Sequence, residues 1–524
     1  MENKPTTTTV KEFSGLRAAL WPIHGYEMKK FLPMGLIMFF ILFVYTILRD
    51  TKDTLIVTAA GGGAEVIPFL KAYVTLPAAI LFVLLYSKLA NIMDREKLFY
   101  LIVGSFVAFF GTFAFIMYPA KELIHPTTET ISALQEAMPN LKFLFPVWGM
   151  WTYSAFYVLS ELWGSVMISL LFWQFANEIT RTKEAKRFYA MFGLLANISL
   201  ICSGFTIRYF SDIRAGLAEG VDPWGVSLNY MMSAVVLSGL AIMVIYRWMN
   251  TNVLTDPVYY DAAEAANKPK KEKVKLSIMD SFKYLAQSKY LRNIAILVIG
   301  YGFAINLVEI IWKNQLKLAY PNSNDYSTFM GTFSAVTGIV TMTLIMLFKG
   351  IVGKFGWLRG ALITPVMVLV TAALFFGFIL FSEELNPIVS MFGVTTIMMA
   401  VMVGAAQNIL SKGTKYSLFD PTKEMAYIPL DDELKVKGKA AVDVIGGRLG
   451  KASGGYVISG LLIMTAGTIS TITGFLAVVV LGIVIAWIIS VRKLSKMYNA
   501  LTGEQEREAI AKSGAATKPI RKTA

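Results

Sequence analysis

Four charged residues interrupt the first long apolar stretch of the sequence. Arg49, Asp50, Lys52 and Asp53 lie between the segments FFILFVYTIL and TLIVTAA. In a helix, Arg49, Lys52 and Asp53 share one face because they are spaced i, i+3 and i+4. A charged side chain at the centre of a bilayer costs about 2.5–3.5 kcal/mol unless it faces water or a partner. Either the span ends before Arg49, or the helix continues and turns a cation, held by carboxylates, toward a cavity. We favour the second interpretation because the apolar run resumes directly after Asp53.

Two glutamates lie deep in other apolar stretches. Glu161 stands in YSAFYVLSELWGSVMISLLFWQF, with mostly apolar residues on both sides. It can pair with a lysine of another helix at the centre of the molecule, where a gate could use the ion pair. Glu309 in INLVEIIWK has Lys313 four residues later, an order and spacing that favour a local helical ion pair. Each glutamate therefore has a structural interpretation, ion pairing, and a functional one, gating or coupling.

A glycine-rich stretch near the C-terminus, VIGGRLGKASGGYVISG, carries Arg448 and Lys451. Gly446, Gly450 and Gly454 recur every four residues, which lets another helix approach closely, and the two cations lie off this stripe. The stretch resembles a phosphate-binding loop but fails the GxxxxGK(S/T) pattern. Isoleucine and alanine occupy its first glycine and its hydroxyl positions. We therefore reject an ATPase.

Together these positions predict a hydrated chamber lined by cations. The predicted chamber cations are Arg49, Lys52, Arg448 and Lys451, with Lys71 as a secondary candidate. Lys313 and Lys317 are expected nearer the rim of the membrane, with Lys313 as a further secondary candidate. Clustered cations bind a multiply charged anion, and Arg forks and Lys point charges suit phosphate oxygens. Aromatic side chains able to stack a base are Tyr45, Tyr157, Trp163 and Trp173. None of them is assigned a role, because helical aromatic residues more often serve packing.

The composition places these charges in a membrane protein. Of 524 residues, 55% are hydrophobic and 16% are charged, whereas soluble domains carry about 25% charged residues. This excludes a secreted disulfide scaffold, a disordered chain and a cytosolic enzyme. The single cysteine, Cys202, precludes an internal disulfide and is predicted to be a packed thiol. With two histidines and no Cys/His cluster, we expect no zinc or haem site and no other cofactor.

Twelve apolar stretches are long enough to cross a bilayer as helices, which takes about 20 residues. They fall at 31–58, 66–87, 98–118, 145–177, 188–209, 226–246, 291–316, 328–348, 358–381, 387–410, 439–466 and 468–491. Most of the 49 Lys and Arg residues lie in the tails and loops of one side. The positive-inside rule therefore predicts that both termini are cytoplasmic. The net charge of +14 then reflects basic loops and an anionic substrate, and no nucleic-acid partner is expected.

A basic linker at 250–288 leaves six predicted spans on each side. We predict a cytoplasmic N-terminal tail at 1–30, a six-helix bundle at 31–249, a second bundle at 289–492 and a basic cytoplasmic tail at 493–524. Two parallel half-bundles with a pathway between them are typical of transporters. The predicted fold is an all-α membrane protein with twelve transmembrane helices in two six-helix bundles.

Seven long segments, spread over both halves, match the motifs of a known family. They are ILRDTKDTLIVTA (47–59), GAEVIPFLK (63–71), SELWGSVMISLLFWQFANEIT (160–180), EAKRFYAMFG (184–193), EGVDPWGVSL (219–228), INLVEIIWK (305–313) and KYSLFDPTKEMAYIPLDDELKVKGKAAVDV (415–444). These segments resemble the ATP/ADP translocases, the nucleotide transporters of obligate intracellular bacteria and plastids. The resemblance implies a fold similar to the major facilitator superfamily. It also implies exchange of external ATP for internal ADP by alternating access.

The resemblance further implies four functional charges, in the RDTKD, SELWGS, INLVE and LGK-containing motifs. They fall on Lys52, Glu161, Glu309 and Lys451. We expect Arg49 and Arg448 to assist the two lysines in binding phosphates. The two glutamates are expected to pair with these lysines in the empty carrier. Lys423 in FDPTKEM is a secondary candidate, in polar surroundings typical of a cytoplasmic loop.

Other functions are open at this point. Within transport, they are proton-coupled import of nucleoside triphosphates and exchange of NAD for ADP. From another class, an enzyme acting on a phosphorylated lipid is disfavoured, because neither a metal-ligand cluster nor a positioned nucleophile is evident. The expected partners are ATP and ADP, with inorganic phosphate as a further candidate, and the lipid bilayer. We expect a monomer in the bacterial inner membrane.

Overall fold

Long helices joined by short connections make up the described part of the molecule. The computed structural model describes residues 17, 21–213, 217–260, 283, 285, 287–431, 434–444 and 450–516. For residues 182, 183, 186, 436, 443, 444, 450–452 and 505–516 it describes the backbone alone. Every regular element in these ranges is helical, which confirms the predicted all-α class.

Ten helices of the described chain are long and apolar enough to cross a membrane. They are α1 Met28–Thr58, α2 Val66–Ile92, α3 Arg95–Met117, α4 Trp151–Ile179, α5 Thr182–Ser211, α6 Pro223–Asn252, α7 Lys289–Ala319, α8 Ser323–Leu347, α9 Trp357–Leu380 and α12 Ile469–Ala516. Two shorter helices, α10 Thr396–Thr414 and α11 Gly450–Thr465, occupy the positions of the tenth and eleventh predicted spans. The arrangement is compatible with twelve crossings.

Short helices fill the connections. They are Gly25–Glu27, Lys121–Ile124, Thr128–Ala137, Pro139–Leu141, Phe145–Gly149, Ile351–Phe355, Ser382–Ser390, Asp420–Ala426, Leu434–Gly438 and Lys439–Val444. Within the longer helices, π-helical turns occur at Leu70–Thr75 and Gly164–Phe172. Such turns are frequent at functional sites. The first contains Lys71 and the second begins three residues after Glu161.

Polar side chains define where several of the long helices begin. Asp222, Ser288, Asn322 and Thr395 each precede a helix and accept a hydrogen bond from a backbone N–H of its first turn. These bonds satisfy donors that the helix itself leaves free. The sequence therefore encodes the starts of α6, α7, α8 and α10 locally.

Successive long helices run in opposite directions, so their ends form two faces. We define the basic face by the connections at 93–94, 180–181, 253–260, 348–356, 415–431 and 434–439, which carry most Lys and Arg of the described connections. The opposite face comprises the connections at 59–65, 118–150, 212–213, 217–222, 320–322, 381–395 and 466–468. Contacts such as Lys30 Nζ to Glu184 Oε2 (2.8 Å) and to the Tyr259 carbonyl (2.9 Å) hold the basic face of the first six helices together.

Helices α5 and α8 form a close contact between the first six and the last six helices. A Cβ atom on Gly204 would lie 2.6 Å from the carbonyl oxygen of Gly331, and one on Gly331 would lie 2.6 Å from the backbone nitrogen of Arg208. Only glycine permits this approach, which is the role that small residues commonly have between membrane helices.

Hydrogen bonds also join the two sets of helices along the opposite face. Thr58 and Ser323 hydroxyls lie 2.7 Å apart, and Lys317 Nζ donates to the Gly62 carbonyl over 2.7 Å. Asn140 Nδ2 donates to the Ile463 carbonyl over 2.6 Å. These bonds hold the opposite face closed.

Some helix limits and one side chain differ from the predictions. Helix α5 begins at Thr182 rather than 188, and α12 extends to Ala516, through most of the predicted C-terminal tail. Both extensions are polar, so hydropathy alone could not reveal them. Cys202 is exposed, and the prediction of a packed thiol is wrong. Apolar residues of a membrane protein also cover its outer surface, so apolar neighbours do not imply burial.

Candidate functional site

A chain of ion pairs joins α1, α4 and α7. Lys52 Nζ lies 2.9 Å from Asp53 Oδ1 and 3.0 Å from Glu161 Oε1. Lys313 Nζ lies 2.8 Å from Asp53 Oδ2 and 2.9 Å from Glu309 Oε1. The charges thus alternate in the order Glu161, Lys52, Asp53, Lys313, Glu309, and Asp53 bridges a lysine of the first helix to a lysine of the seventh.

Helix geometry sets the depth of this chain in the membrane. Lys52 and Lys313 each precede the end of their helix at the opposite face by six residues, Thr58 and Ala319 being the last. At 1.5 Å per residue, the two lysines lie about 9 Å below that face. The first helix of each half therefore places its lysine at the same level.

The ends of the ion-pair chain are accessible to water, whereas its centre is not. The side chains of Glu161 and Glu309 are 34% and 31% exposed, but those of Lys52, Asp53 and Lys313 are exposed by only 1–3%. Buried ions are tolerated only when they are paired with good geometry. The alternation of charge meets that requirement for the three central groups.

The more exposed side chains of this cluster lie on its basic-face side. Along α1 the exposed fraction of the side chain rises from 3% at Lys52 to 19% at Arg49, one turn nearer the basic face. Along α7 it rises in the same direction, from Lys313 to Glu309. Because the bonds described above close the opposite face, we infer that water reaches the exposed ends of the chain from the basic face, and we call this route the cavity.

A second polar contact joins α1 to α8 beside the chain. Arg49 Nε lies 2.9 Å from Asp50 Oδ1, and Arg49 Nη2 donates to Ser334 Oγ over 2.8 Å. Ser334 Oγ in turn donates to Asp50 Oδ2 over 2.6 Å. Arg49 is therefore held in place by a carboxylate of its own helix and a hydroxyl of the other half.

Two further lysines of the cluster have no carboxylate partner among the described residues. Lys71 lies on the π-helical turn of α2, and its Cβ would be 3.8 Å from a Cβ on Gly455 of α11. Lys412 of α10 lies with its Nζ 5.2 Å from the centre of the Phe333 ring. Both lie close enough to Glu309 to interact with it electrostatically. A cation in this position is available to an anionic ligand.

The structure brings together six residues predicted from the sequence. They are Arg49, Lys52, Lys71, Glu161, Glu309 and Lys313. Glu161 pairs with a lysine of another helix, and Glu309 pairs with Lys313, as their structural interpretations predicted. Lys317 lies at the opposite face, near the predicted rim.

The expected rim position of Lys313 is wrong. Lys313 is 1% exposed and belongs to the centre of the cluster, because Asp53 of α1 reaches across to it. Lys412 was not predicted from the sequence, whereas Asp53 was predicted only as a carboxylate that holds a cation of its own helix, without its bridge to Lys313. Lys412 follows the predicted end of its span by two residues, so an extension of that helix by one turn would have revealed it.

The remaining predicted cations are not part of the described cluster. Arg448 lies outside the described residues, and Lys451 is the second residue of α11, with its side chain outside the described part. Lys423 lies at the basic face and pairs with Glu424 over 3.2 Å. Burial opposes the ionisation of Glu424, but Lys439 and Lys423 outweigh it and hold the pKa of that carboxyl below its usual value.

A separate cavity of about 590 Å³ opens at the opposite face; we call it the vestibule. Its lining includes Leu55, Thr58, Tyr118, Lys121, His125, Tyr153, Trp224 and Ser323. At its edge, Asp222 accepts hydrogen bonds from the Tyr118 hydroxyl (2.9 Å) and from Lys121 Nζ (3.2 Å). Burial raises the pKa of Asp222, but these bonds and the Gly225 N–H reverse that effect and keep it below the usual value. The vestibule and the cavity lie on opposite sides of the ion-pair chain.

A family model described as the TLC ATP/ADP transporter matches residues 6–498. The chain belongs to this family of ATP/ADP transporters. It is 54% identical over 506 residues to ADP,ATP carrier protein 1 of Chlamydia pneumoniae, covering 96% of this chain and 98% of the relative. It is 49% identical to the chloroplastic ADP,ATP carrier protein 2 of Arabidopsis thaliana, covering 93% and 78%. It is 45% identical to ADP,ATP carrier protein 1 of Rickettsia bellii, covering 96% and 100%.

Solved structures support the fold of this ATP/ADP transporter. A bacterial homologue of the iron transporter ferroportin, in an inward-facing state, matches 90% of this chain and 100% of its own with a TM-score of 0.56 at 12% identity. A D-xylose–proton symporter matches 88% and 98% with a TM-score of 0.50 at 12% identity. The predicted family is confirmed, and the predicted all-helical transporter fold matches that of these two solved structures.

Proposed function

We propose that this ATP/ADP transporter exchanges external ATP for internal ADP across the bacterial cytoplasmic membrane by alternating access. The observation that carries the proposal is the bridge from Asp53 to both Lys52 and Lys313. A polyphosphate offers the same lysines the negative oxygens that the carboxylates now supply. A bound polyphosphate can therefore replace the Asp53–Lys313 pair and allow the two halves to separate.

The phosphates bind first to the cations that have no carboxylate partner, because no ion pair has to be broken there. Lys71 and Lys412, one from each half, have no carboxylate partner among the described residues and interact electrostatically with Glu309 at an exposed end of the chain. Arg49 adds a guanidinium that can grip two phosphate oxygens at once. Lys451 and Arg448 are proposed as further phosphate ligands from the charge pattern of the sequence, and for Lys451 also from the resemblance. Helix α11, which contains Lys451, packs against the turn that carries Lys71.

The carboxylates hold the empty carrier in one arrangement. As phosphate oxygens reach Lys52 and Lys313, Glu161 and Glu309 at the exposed ends of the chain are displaced into the water of the cavity. The Asp53–Lys313 pair then breaks, and the hydrogen bonds that close the opposite face, such as that between Thr58 and Ser323, are free to separate. The substrate drives this change only because it binds the two states with different affinity.

Obligatory exchange follows from the same ion pairs. Without substrate, a separation of the two halves breaks the buried Asp53–Lys313 pair and leaves Asp53 with Lys52 alone and Lys313 with Glu309 alone, and the loss of a buried ion partner is strongly destabilising. The empty carrier therefore reorients rarely, and a bound nucleotide is needed for each passage. Residues 31–249 and 289–492 are proposed as the two moving bundles, and one chain provides the whole path, so a monomer suffices.

The proposed orientation places the basic face and both termini in the cytoplasm. The excess of Lys and Arg on the connections of that face supports this, since cytoplasmic loops retain basic residues during insertion. The vestibule then faces the outside, where ATP is taken up.

Counter-exchange in proteoliposomes tests the proposed function. Vesicles are loaded with ADP, inorganic phosphate, NAD or buffer, and uptake of labelled ATP is measured with and without an uncoupler. We expect uptake that requires internal ADP and is insensitive to the uncoupler. Uptake into buffer-loaded vesicles that follows an imposed proton gradient would instead establish proton-coupled import, and equal stimulation by NAD would establish exchange of NAD.

Two separate lysine substitutions, one of them a control, test the phosphate site in the same assay. Lys52→Gln should lower exchange by about 100-fold, the loss that about 2.7 kcal/mol of binding energy produces. Lys97→Gln is the matched control, since Lys97 is 73% exposed at the basic face and pairs only locally with Asp94. Near-normal exchange by a well-inserted Lys52→Gln variant would refute the assignment of Lys52.

A further inference from the structure

Two buried tyrosines, one from each half, flank the ion-pair chain. Tyr157 of α4 and Tyr326 of α8 are both fully buried, and neither hydroxyl has a hydrogen-bond partner among the described residues. More than nine in ten buried polar groups in folded proteins are hydrogen-bonded, and each unsatisfied one costs about 1–3 kcal/mol. We therefore expect both hydroxyls beside the charged cluster to form hydrogen bonds in another conformational state of the transporter.

Both tyrosines lie between the vestibule and the ion-pair chain. Tyr153, one turn before Tyr157, lines the vestibule, and Ser323, one turn before Tyr326, lines it as well. On the inner side, Lys52 Nζ lies 4.0 Å from the centre of the Tyr157 ring. The two rings therefore separate the vestibule from Lys52 and Lys313.

The charges around Tyr326 are those of the chain itself. Asp53 and Lys313 both act on its hydroxyl electrostatically, and Tyr157 interacts with the same two groups. The hydroxyls thus lie near the cross-half bridge from two sides, α4 in the first half and α8 in the second. If the bridge is replaced by a phosphate, donors are already present around it.

We propose that Tyr157 and Tyr326 donate hydrogen bonds to phosphate oxygens of the nucleotide when the site opens to the opposite face. This inference rests on the proposed function. Parting of the Thr58–Ser323 contact joins the vestibule to the lysines and moves the two rings aside. Their hydroxyls then complete the phosphate site in that state, whereas in the present state, which opens to the basic face, they take no part in binding.

The experiment measures the affinity for ATP from each face separately. Tyr157→Phe and Tyr326→Phe remove the hydroxyls but keep the rings. Intact bacterial cells that express the protein present one face, inverted membrane vesicles present the other, and accessibility of a C-terminal tag identifies each. We expect the KM for ATP to rise about tenfold for each variant at the opposite face and to change less than twofold at the basic face.

Tyr290→Phe is the matched control. Its hydroxyl is also buried but donates to the Ala426 carbonyl over 2.7 Å at the basic face, away from the cluster. We expect this variant to lower thermal stability and to leave both KM values unchanged, whereas Tyr157→Phe and Tyr326→Phe should unfold at the wild-type temperature in detergent.

The outcomes separate this inference from the proposed function. An equal rise of KM at both faces, no rise at either face, or lower thermal stability with unchanged KM would each overturn the role of the two hydroxyls. Wild-type protein that fails to exchange ATP for ADP would overturn the proposed function instead, whatever the tyrosine variants do.

Discussion

Asp53 Oδ2 lies 2.8 Å from Lys313 Nζ, while the other oxygen of the same carboxylate lies 2.9 Å from Lys52 Nζ. One side chain of α1 thereby satisfies a cation of each half at the same depth in the membrane. Because all three groups are almost fully buried, a separation of the halves at this level breaks the Asp53–Lys313 pair and leaves Lys313 with Glu309 as its only carboxylate partner. The bridge therefore links closure of the opposite face to the occupancy of the phosphate site.

Removal of the bridging charge should loosen this link. Asp53→Asn leaves Lys52 and Lys313 facing each other with one glutamate each, so we expect the empty carrier to reorient and ATP to enter vesicles that contain no ADP. The free energy of unfolding should fall by about 3 kcal/mol, the usual cost of breaking a buried ion pair.

Asp94→Asn provides the comparison for this variant. Asp94 is 80% exposed at the basic face, where it lies 3.3 Å from Lys97, and such surface pairs contribute about 0–1 kcal/mol. Uptake by Asp53→Asn that still depends fully on internal ADP would show that the bridge does not enforce exchange.

The unpaired lysine of α10 should set affinity from the basic face. Lys412→Gln is expected to raise the KM for ADP about tenfold in inverted vesicles, equivalent to about 1.4 kcal/mol. Lys423→Gln, at the same face but paired with Glu424, should change it less than twofold. Equal effects of the two substitutions would mean that general surface charge, and not the cavity, determines affinity.

A disulfide between the ends of α1 and α8 should lock the opposite face in its closed state. The hydroxyls of Thr58 and Ser323 lie 2.7 Å apart, so cysteines at both positions are close enough to oxidise to a disulfide. In a Cys202→Ala background, we expect copper phenanthroline to stop exchange in Thr58→Cys/Ser323→Cys protein and a reductant to restore it. Each single-cysteine variant should remain active throughout. Continued exchange by the fully oxidised protein would exclude any opening between these helix ends.

Close packing of α5 against α8 should tolerate no side chain. A Cβ on Gly204 would lie 2.4 Å from the backbone nitrogen of Ala335, so Gly204→Ala should cost about 1–3 kcal/mol through overpacking and lower the unfolding temperature in detergent. Gly193→Ala, on the same helix but with no neighbouring atom within 4 Å, should be neutral or slightly stabilising. Similar unfolding temperatures for the two variants would disprove the close contact.

Protonation of His125 should weaken the opposite face. Burial, with a smaller contribution from Lys121, lowers the pKa of His125 below its ordinary value, and its Nε2 lies 2.7 Å from the Thr152 hydroxyl. A lowered pKa favours the neutral form in the folded state, so this stability is present above the ordinary pKa of about 6.5 and declines as pH falls below it. Unfolding temperatures measured from pH 8 to 5 should therefore fall more for the wild type than for His125→Gln. Parallel curves would contradict this.

The sequence by itself determined the kind of protein and most of the charges that matter. The cost of burying Arg49, Lys52, Glu161 and Glu309 in lipid is a property of each residue and its apolar neighbours, so it can be read without coordinates. The helix starts at α6, α7, α8 and α10 are likewise local, because the capping side chain lies within three residues of the N–H that it accepts from.

Only the tertiary structure decided which charges meet. Asp53 and Lys313 are separated by 260 residues along the chain, and nothing in either segment indicates the other as its partner. Their contact depends on how α1 and α7 are placed side by side, and the burial of Tyr157 and Tyr326 depends on the same packing. A charge in an apolar stretch indicates that the side chain needs a partner. Which residue that partner is depends on long-range packing, which no local periodicity encodes.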